Sequence, residues 1–320
     1  MGKCEVQMAL PRTGGQVLLT AGSNCAHEVV GVTNRFVLKI CKRGEKMQAI
    51  ILAAGYATRM YPLTENTPKA LLPLRGKPVI DHIVAQLDTL PNVKNIYVVT
   101  NSKFYPSFCR WSHAFNTENT SQEPGILSKP DAVSASPEMR IEVLDDGTTS
   151  NENRRGAVGD VLFAIREKKI DDELVVIAGD NYFADEGDLA AQFALFRKTG
   201  CDTLCGKELH DPARLKNFGI AQLAEDGKLL HFEEKPQNPR SNIVVYAAYF
   251  FRRETVPLFE KYLAEGNSPD NIGSFPQWLY KFCDVYTHKL QGDCHDIGSI
   301  EEYENLGGVA PKPPQGDKSP

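Results

Sequence analysis

No apolar run in the 320 residues approaches the roughly 18 to 20 needed for a membrane-spanning helix, and mean hydropathy is -0.33, so a water-soluble chain is expected. Positive charge is not in surplus: 36 Lys+Arg stand against 41 Asp+Glu, a formal net charge of -5 with a pI near 5.9. Neither nucleic acid nor an anionic membrane surface is therefore an expected partner. The eight cysteines include no C-x-x-C pair. Cys201 and Cys205 can share one helical face, yet no second pair stands at a zinc-like distance, and ordinary buried thiols in a reducing cytosol fit best. Both the G-x-G-x-x-G fingerprint and a Gly-Lys-Ser/Thr phosphate loop are missing, which disfavours a nicotinamide-dependent oxidoreductase and a P-loop NTPase. What is present, 42% hydrophobic residues, fills one large α/β domain or two ordinary ones.

Residues 1–46 lack sustained periodicity, and Gln16-Val17-Leu18-Leu19-Thr20 is too short for a secretory signal. They read as an N-terminal extension or, being richer in basic than acidic residues, as a targeting presequence. At Met47 the character changes. Gln48 to Gly55 reads as a buried parallel strand running into a glycine-closed loop. The spacing then predicts a helix over 80–90 before a strand over 95–100, and a helix over 158–168 before a strand over 174–178, the alternation of βαβ units. Asn116 to Glu138, rich in Ser, Thr, Pro, Asn and Glu, reads as a surface loop, and a strand resumes at Arg140. Segments 219–223 and 229–233 flank an Asp-Gly turn and predict a hairpin; 243–251 predicts a strand, 255–264 a helix, and 306–320 a flexible tail.

The most informative stretch runs Leu52-Ala53-Ala54-Gly55-Tyr56-Ala57-Thr58-Arg59-Met60-Tyr61-Pro62-Leu63-Thr64, then Thr67-Pro68-Lys69-Ala70-Leu71-Leu72-Pro73. A small-residue loop after a buried strand lets backbone N–H groups approach an anion, and Arg59 and Lys69 supply the fixed positive charge a triphosphate needs. A plain turn with two solvated cations has the same residues. Asp180 follows an apolar strand, so its carboxylate should emerge at the carboxyl end of the sheet, where ligands of open α/β folds sit. That suits a Mg2+ ligand, although Gly-Asp-Asn is also a common turn. Lys235, at a strand end stopped by Pro236, can neutralise a phosphate and Glu234 can accept from hydroxyls; alone, the triplet equally reads as an exposed charge cluster.

Taken in order, this stretch with Arg155-Gly156-Ala157-Val158-Gly159, Gly179-Asp180-Asn181, Phe232-Glu233-Glu234-Lys235-Pro236 and His295-Asp296-Ile297-Gly298-Ser299-Ile300-Glu301-Glu302-Tyr303 resembles the sugar-1-phosphate nucleotidylyltransferases over about residues 48 to 305. Within that family it resembles the glucose-1-phosphate thymidylyltransferase-like enzymes. The resemblance implies an α/β fold: a Rossmann-like, mostly parallel sheet of the nucleotide-diphospho-sugar transferase type over 47–305, with a smaller β-rich substrate-binding part from about 206 to 252. It implies an NTP and a sugar 1-phosphate as substrates and Mg2+ as cofactor, held by Asp180 and Asp296. Nucleotide contacts are implied at Ala53, Ala54, Gly55, Thr58, Arg59, Lys69, Asp146 and Gly156, and sugar-phosphate contacts at Gly219, Glu234 and Lys235. Arg59, Lys69, Asp180 and Lys235 are the implied catalytic residues. A cytoplasmic location is expected, and a homo-oligomer is compatible.

Several positions depart from the family pattern. Ala57 stands where glycine is frequent, Tyr246-Ala247-Ala248-Tyr249 has alanine where glycine commonly lies beside the sugar, and Cys294-His295 precede Asp296 where an aromatic is common. Asp145 or Asp146 falls near a glutamine that reads the base; a carboxylate only accepts, which favours a base edge presenting donors, or the pair simply forms a turn. Two other readings stay open: a cytidylyltransferase acting on a non-sugar phosphate such as phosphocholine, and a non-catalytic nucleotide-sugar-binding relative that regulates a partner.

Overall fold

The computed structural model describes residues 46–120, 139–185 and 187–309, all within a unit that begins at Arg43. The expectations for residues 1–45, for the loop over 121–138 and for the tail from 310 lie outside the described residues. In chain order the elements are β1 (Met47–Leu52), β2 (Pro73–Leu74), β3 (Lys77–Pro78), α1 (Val79–Asp88), β4 (Val93–Thr100), α2 (Tyr105–Thr120) and β5 (Arg140–Asp145). Then follow α3 (Ala157–Lys168), β6 (Glu173–Ala178), β7 (Asn181–Phe183), α4 (Asp188–Thr199), β8 (Asp202–Glu208), α5 (Pro212–Leu215), β9 (Gly219–Leu223) and β10 (Leu229–Glu234). β11 (Ile243–Phe251), α6 (Leu258–Ala264), α7 (Ser274–Leu279), β12 (Val285–Lys289), β13 (Cys294–Asp296) and α8 (Ile300–Asn305) complete it.

The sheet is mostly parallel at its centre, in the order β5-β4-β1-β6. Its strands are apolar on both faces because helices cover both. Ala49, Ile51, Val98, Val175 and Ile177 pack against α1, α2 and α4, while Ile50, Val99 and Val176 pack against α3, α6 and α7. β11 extends the sheet antiparallel: residues 248–251 pair with β6, and 243–245 pair with β9, which carries β10 through a hairpin closed at Gly227. β8 pairs with β11 antiparallel and with β12 parallel. This antiparallel part is the expected β-rich region. No helix among the described residues is long and apolar enough to cross a membrane.

Two expectations need correction. The predicted loop from Asn116 begins inside α2, which runs to Thr120. Phe108, Trp111 and Phe115 give that helix a buried aromatic stripe at spacings of three and four, and the Asn116 amide bonds both ways to the Ile141 backbone. Cys201 and Cys205 do not share a helical face, because Cys205 lies in β8 as a buried free thiol.

At the far end of β11, the buried Asp202 carboxylate accepts from the Arg252 backbone N–H at 2.7 Å and from the Thr255 hydroxyl at 2.8 Å. Burial pushes this carboxyl up while Arg252 pulls it down. Asp202→Ala is expected to cost about 3 to 5 kcal/mol, since it strands buried donors and the Arg252 charge. Urea unfolding should show a lower midpoint; an unchanged one would mean that this network holds nothing.

Candidate active site

The loops that follow β1 and β6 begin side by side. Leu52 pairs with Ala178, and the Gly179 N–H donates to the Leu52 carbonyl at 2.8 Å. A Cβ at Gly179 would sit 2.9 Å from that oxygen, so glycine permits the approach. The Ala53 and Ala54 carbonyls accept from the side chains of Thr100 and Asn101. Gly55, Thr58 and Arg59 are exposed, and Arg59 lies in a 3-10 turn entered through Ala57 at φ 49. That left-handed conformation explains why glycine suits the position; the Thr64 hydroxyl, donating to the Ala57 carbonyl at 2.8 Å, holds it here.

Lys69 opens a second 3-10 turn and forms an ion pair with Asp180. Burial alone would lower the Lys69 ammonium, but Asp180, Asp296 and Glu302 outweigh it and hold it above its usual value. Asp296 reaches the same place from β13, which pairs with β7 so that Asp296 lies opposite Asn181. Burial and the Asp180 charge push the Asp296 carboxyl up to about 7, against the pull of Lys69. Two carboxylates in mutual repulsion suit a hard divalent cation such as Mg2+. Among the described residues no group of three or more His, Cys, Asp and Glu could hold a metal, so water and phosphate oxygens would supply the remaining ligands.

A cavity of about 220 Å³ opens beside this pair. Of the residues singled out in the sequence, Asp180, Gly219, Glu234, Lys235 and Asp296 line it. Glu234 is nearly enclosed: a Cβ on Gly219 would come within 2.8 Å of its carboxylate, and one on Gly273 within 2.0 Å. Burial pushes the Glu234 carboxyl up, opposed by Lys235. The Lys235 backbone sits at φ 48, held by its N–H to the Phe218 carbonyl, and its ammonium donates to Asn271 Oδ1 at 2.8 Å.

Ala53, Ala54, Gly55, Thr58, Arg59, Lys69, Asp146 and Gly156 are not among the residues lining this cavity. Gly156 precedes α3 at φ 81, with Pro269 and Asp270 so close that a Cβ would meet the Pro269 carbonyl at 2.5 Å. Asp146 is 1% exposed; its Oδ1 accepts from the Thr148 N–H and hydroxyl, each at 2.7 Å. Its carboxylate also meets the Asp160 carboxyl, which burial and Asp146 push up to about 8 against the pull of Arg155.

Tyr246, Ala247 and Tyr249, from the segment the resemblance places beside the sugar, also line the cavity; Asn217 and the run Asp270-Asn271-Ile272-Gly273 do so too and were missed as site residues. Asp270 to Gly273 reads in sequence as a polar turn, and nothing local ties it to Lys235, 36 residues away. Ala247 sits where the β11 register shifts between Tyr246 and Tyr249. His295 stacks on Tyr182 with ring centroids 6.4 Å apart.

A family model described as Nucleotidyl transferase matches residues 48–307. The chain belongs to the nucleotidyl transferase family. It is 28% identical over 252 residues to a bifunctional protein GlmU of Methanocaldococcus jannaschii, covering 79% of this chain and 51% of that protein. It is 26% identical over 280 residues to a glucose-1-phosphate thymidylyltransferase of Neisseria meningitidis, covering 81% of this chain and 85% of that one. The chain thus spans about half the length of the GlmU relatives it matches. A UDP-glucose pyrophosphorylase structure from Acinetobacter baumannii shares the fold, with a TM-score of 0.63 at 18% identity over 82% of this chain and 92% of that one.

The carboxyl pair beneath the β5–α3 loop gives stability a pH dependence. Asp160 stays protonated to about 8 in the folded chain against 3.8 in the open, so the folded state binds more protons across that window. Its stabilisation is complete below pH 3.8 and is lost as pH rises through about 8. In urea titrations from pH 5 to 9, Asp160→Asn should flatten the decline; an identical slope in the variant would rule the pair out as its source.

Proposed function

We propose that the chain transfers a nucleotidyl group from a nucleoside triphosphate to a sugar 1-phosphate in a Mg2+-dependent reaction, giving a nucleotide sugar and pyrophosphate. The observation that carries this reading is one cavity joining Glu234 and Lys235 on one wall to Asp180 and Asp296 on the other, with Lys69 against Asp180. The names of the thymidylyltransferase and UDP-glucose pyrophosphorylase relatives support a nucleotide-sugar product. An oxygen of the acceptor phosphate attacks the α-phosphorus in line; that P–O bond forms as the bond to the β-phosphate oxygen breaks, and its electron pair leaves with pyrophosphate.

No covalent protein nucleophile is needed, so the protein supplies position and charge. Lys235 neutralises the acceptor phosphate, and Glu234 accepts from acceptor hydroxyls. Arg59, Lys69 and the backbone of Ala53, Ala54, Gly55 and Thr58 receive the triphosphate, with Gly156 beside it at the start of α3. Asp146 braces the loop before α3 through Thr148 and Asp160. Asp180 and Asp296 would hold Mg2+, which when bound offsets the phosphate charge.

Product formation followed by mass spectrometry, across five NTPs against several sugar 1-phosphates and phosphocholine, tests this. One NTP with a sugar 1-phosphate should yield the nucleotide sugar, and Asp180→Ala should lower the rate by about a hundredfold or more. A chelator should abolish turnover and Mg2+ restore it. Nucleotide-sugar binding without turnover in every combination would sink the catalytic reading, and phosphocholine as the sole acceptor would replace the sugar. Once substrates are known, Gly273→Ala should raise the acceptor KM about tenfold with the NTP KM unchanged, because its Cβ displaces Glu234. An unaltered acceptor KM would separate Glu234 from acceptor binding.

A further inference from the structure

The segment between α6 and α7 touches both sides of the site. The Pro269 and Asp270 carbonyls accept from the backbone N–H groups of Val158 and Ala157, at 2.8 and 3.1 Å, in the first turn of α3. Asp270 also pairs with Arg154 at 3.4 Å. One residue further on, Asn271 Oδ1 accepts from the Lys235 ammonium, and two beyond that Gly273 makes room for Glu234. Resting on the acceptor-phosphate role of Lys235 above, we infer that Asn271 is a positioning residue that fixes the Lys235 ammonium without neutralising it.

Lys235 carries a long stem with many rotamers, and the carboxylate beside it is a poor anchor: Glu234 Oε1 lies 3.8 Å from the ammonium, beyond hydrogen-bond reach. Asn271, at 2.8 Å, is the partner that sets its direction. The amide oxygen is an uncharged acceptor. It occupies one of the three ammonium donors and leaves the full positive charge and two donors for a phosphate. A carboxylate in its place would make the same bond while cancelling the charge. The backbone at both ends is fixed, on one side by the Lys235 N–H to the Phe218 carbonyl and on the other by the Ser274 N–H to the Asn271 carbonyl. The aim of the ammonium is therefore set chiefly by the Asn271 contact, with Glu234 as a looser ion-pair partner.

Steady-state kinetics on the full chain test the role, using whichever NTP and acceptor pair the wild type converts. Asn271→Leu removes the acceptor oxygen at nearly constant size and Asn271→Asp keeps the oxygen but adds charge. Both should raise the acceptor KM about tenfold, leave the NTP KM unchanged and melt with the wild type. In a Lys235→Met background neither should cause further loss, because Asn271 acts through Lys235. Wild-type kinetics in Asn271→Asp, which a merely packing role predicts, would overturn the inference. Additive losses with Lys235→Met would do the same by making Asn271 a direct contact. Failure of the parent reading looks different: the wild type itself would convert no pair, and the role of Asn271 would fall with it.

Discussion

The site depends on one strand joining the parallel and the antiparallel parts of a single sheet. Along β11, residues 248–251 close the parallel core against β6, while 243–245 carry the antiparallel β9 and β10. The register shift between Tyr246 and Tyr249 marks the change, and Ala247 in that irregularity lines the cavity. On the β6 side the chain leads directly into Asp180; on the β9–β10 side the hairpin ends in Glu234 and Lys235. Neither wall can shift without β11, which pins both through backbone hydrogen bonds. The buried cluster around Asp202 anchors its far end.

Charge within the cavity is unevenly balanced. Asp180, Asp296, Glu234 and Asp270 line it, with Lys235 as the lining cation and Lys69 paired to Asp180 from outside the lining. Desolvation raises Asp296 and Glu234 because no neighbouring cation fully compensates them. A fold that keeps carboxylates in such a place carries an electrostatic penalty that, on the proposed function, a bound cation and hydroxyl donors would relieve. Lys69, beside the cavity, is raised by Asp180, Asp296 and Glu302 against the burial that lowers it, which shows how strongly these acids favour positive charge. Two bound phosphates would reverse that balance, which accounts for a site built with acids and lysines side by side.

The sequence disclosed the frame through periodicity. Apolar strands ending in Gly55 and in Gly179-Asp180, with helical patterns between them, were enough to place the parallel core, and the Asp-Gly turn placed the β9–β10 hairpin. What it hid is instructive. The start of α2 was obscured because Phe104 and Phe108 lie among Ser, Tyr and Pro, and its later turns read as polar loop. Asn271 was invisible because its importance comes from a contact 36 residues away, and Asp270-Asn271-Ile272-Gly273 has the composition of any turn. The family resemblance put Asp145 or Asp146 near the base, with a plain turn as the alternative. In the structure the Asp146 Oδ1 accepts from Thr148 and its carboxylate meets the buried Asp160, a pairing that no local spacing announces.

Glycine shows most clearly where a residue-by-residue reading stops. Gly156, Gly219 and Gly273 stand around the site, and the first two suggested close approach to a ligand. Each has a close neighbour within the protein: a Cβ at Gly156 would strike the Pro269 carbonyl, one at Gly219 the Phe232 ring and then Glu234, and one at Gly273 Glu234. The missing side chains let one backbone segment press against the α3 turn and enclose the Glu234 carboxylate at once. Close packing of protein on protein is then what fixes Glu234 and the start of α3 relative to one another, before any substrate enters. A glycine in such a motif is a constraint on how the walls meet, and contact with ligand follows from the walls rather than from the glycine.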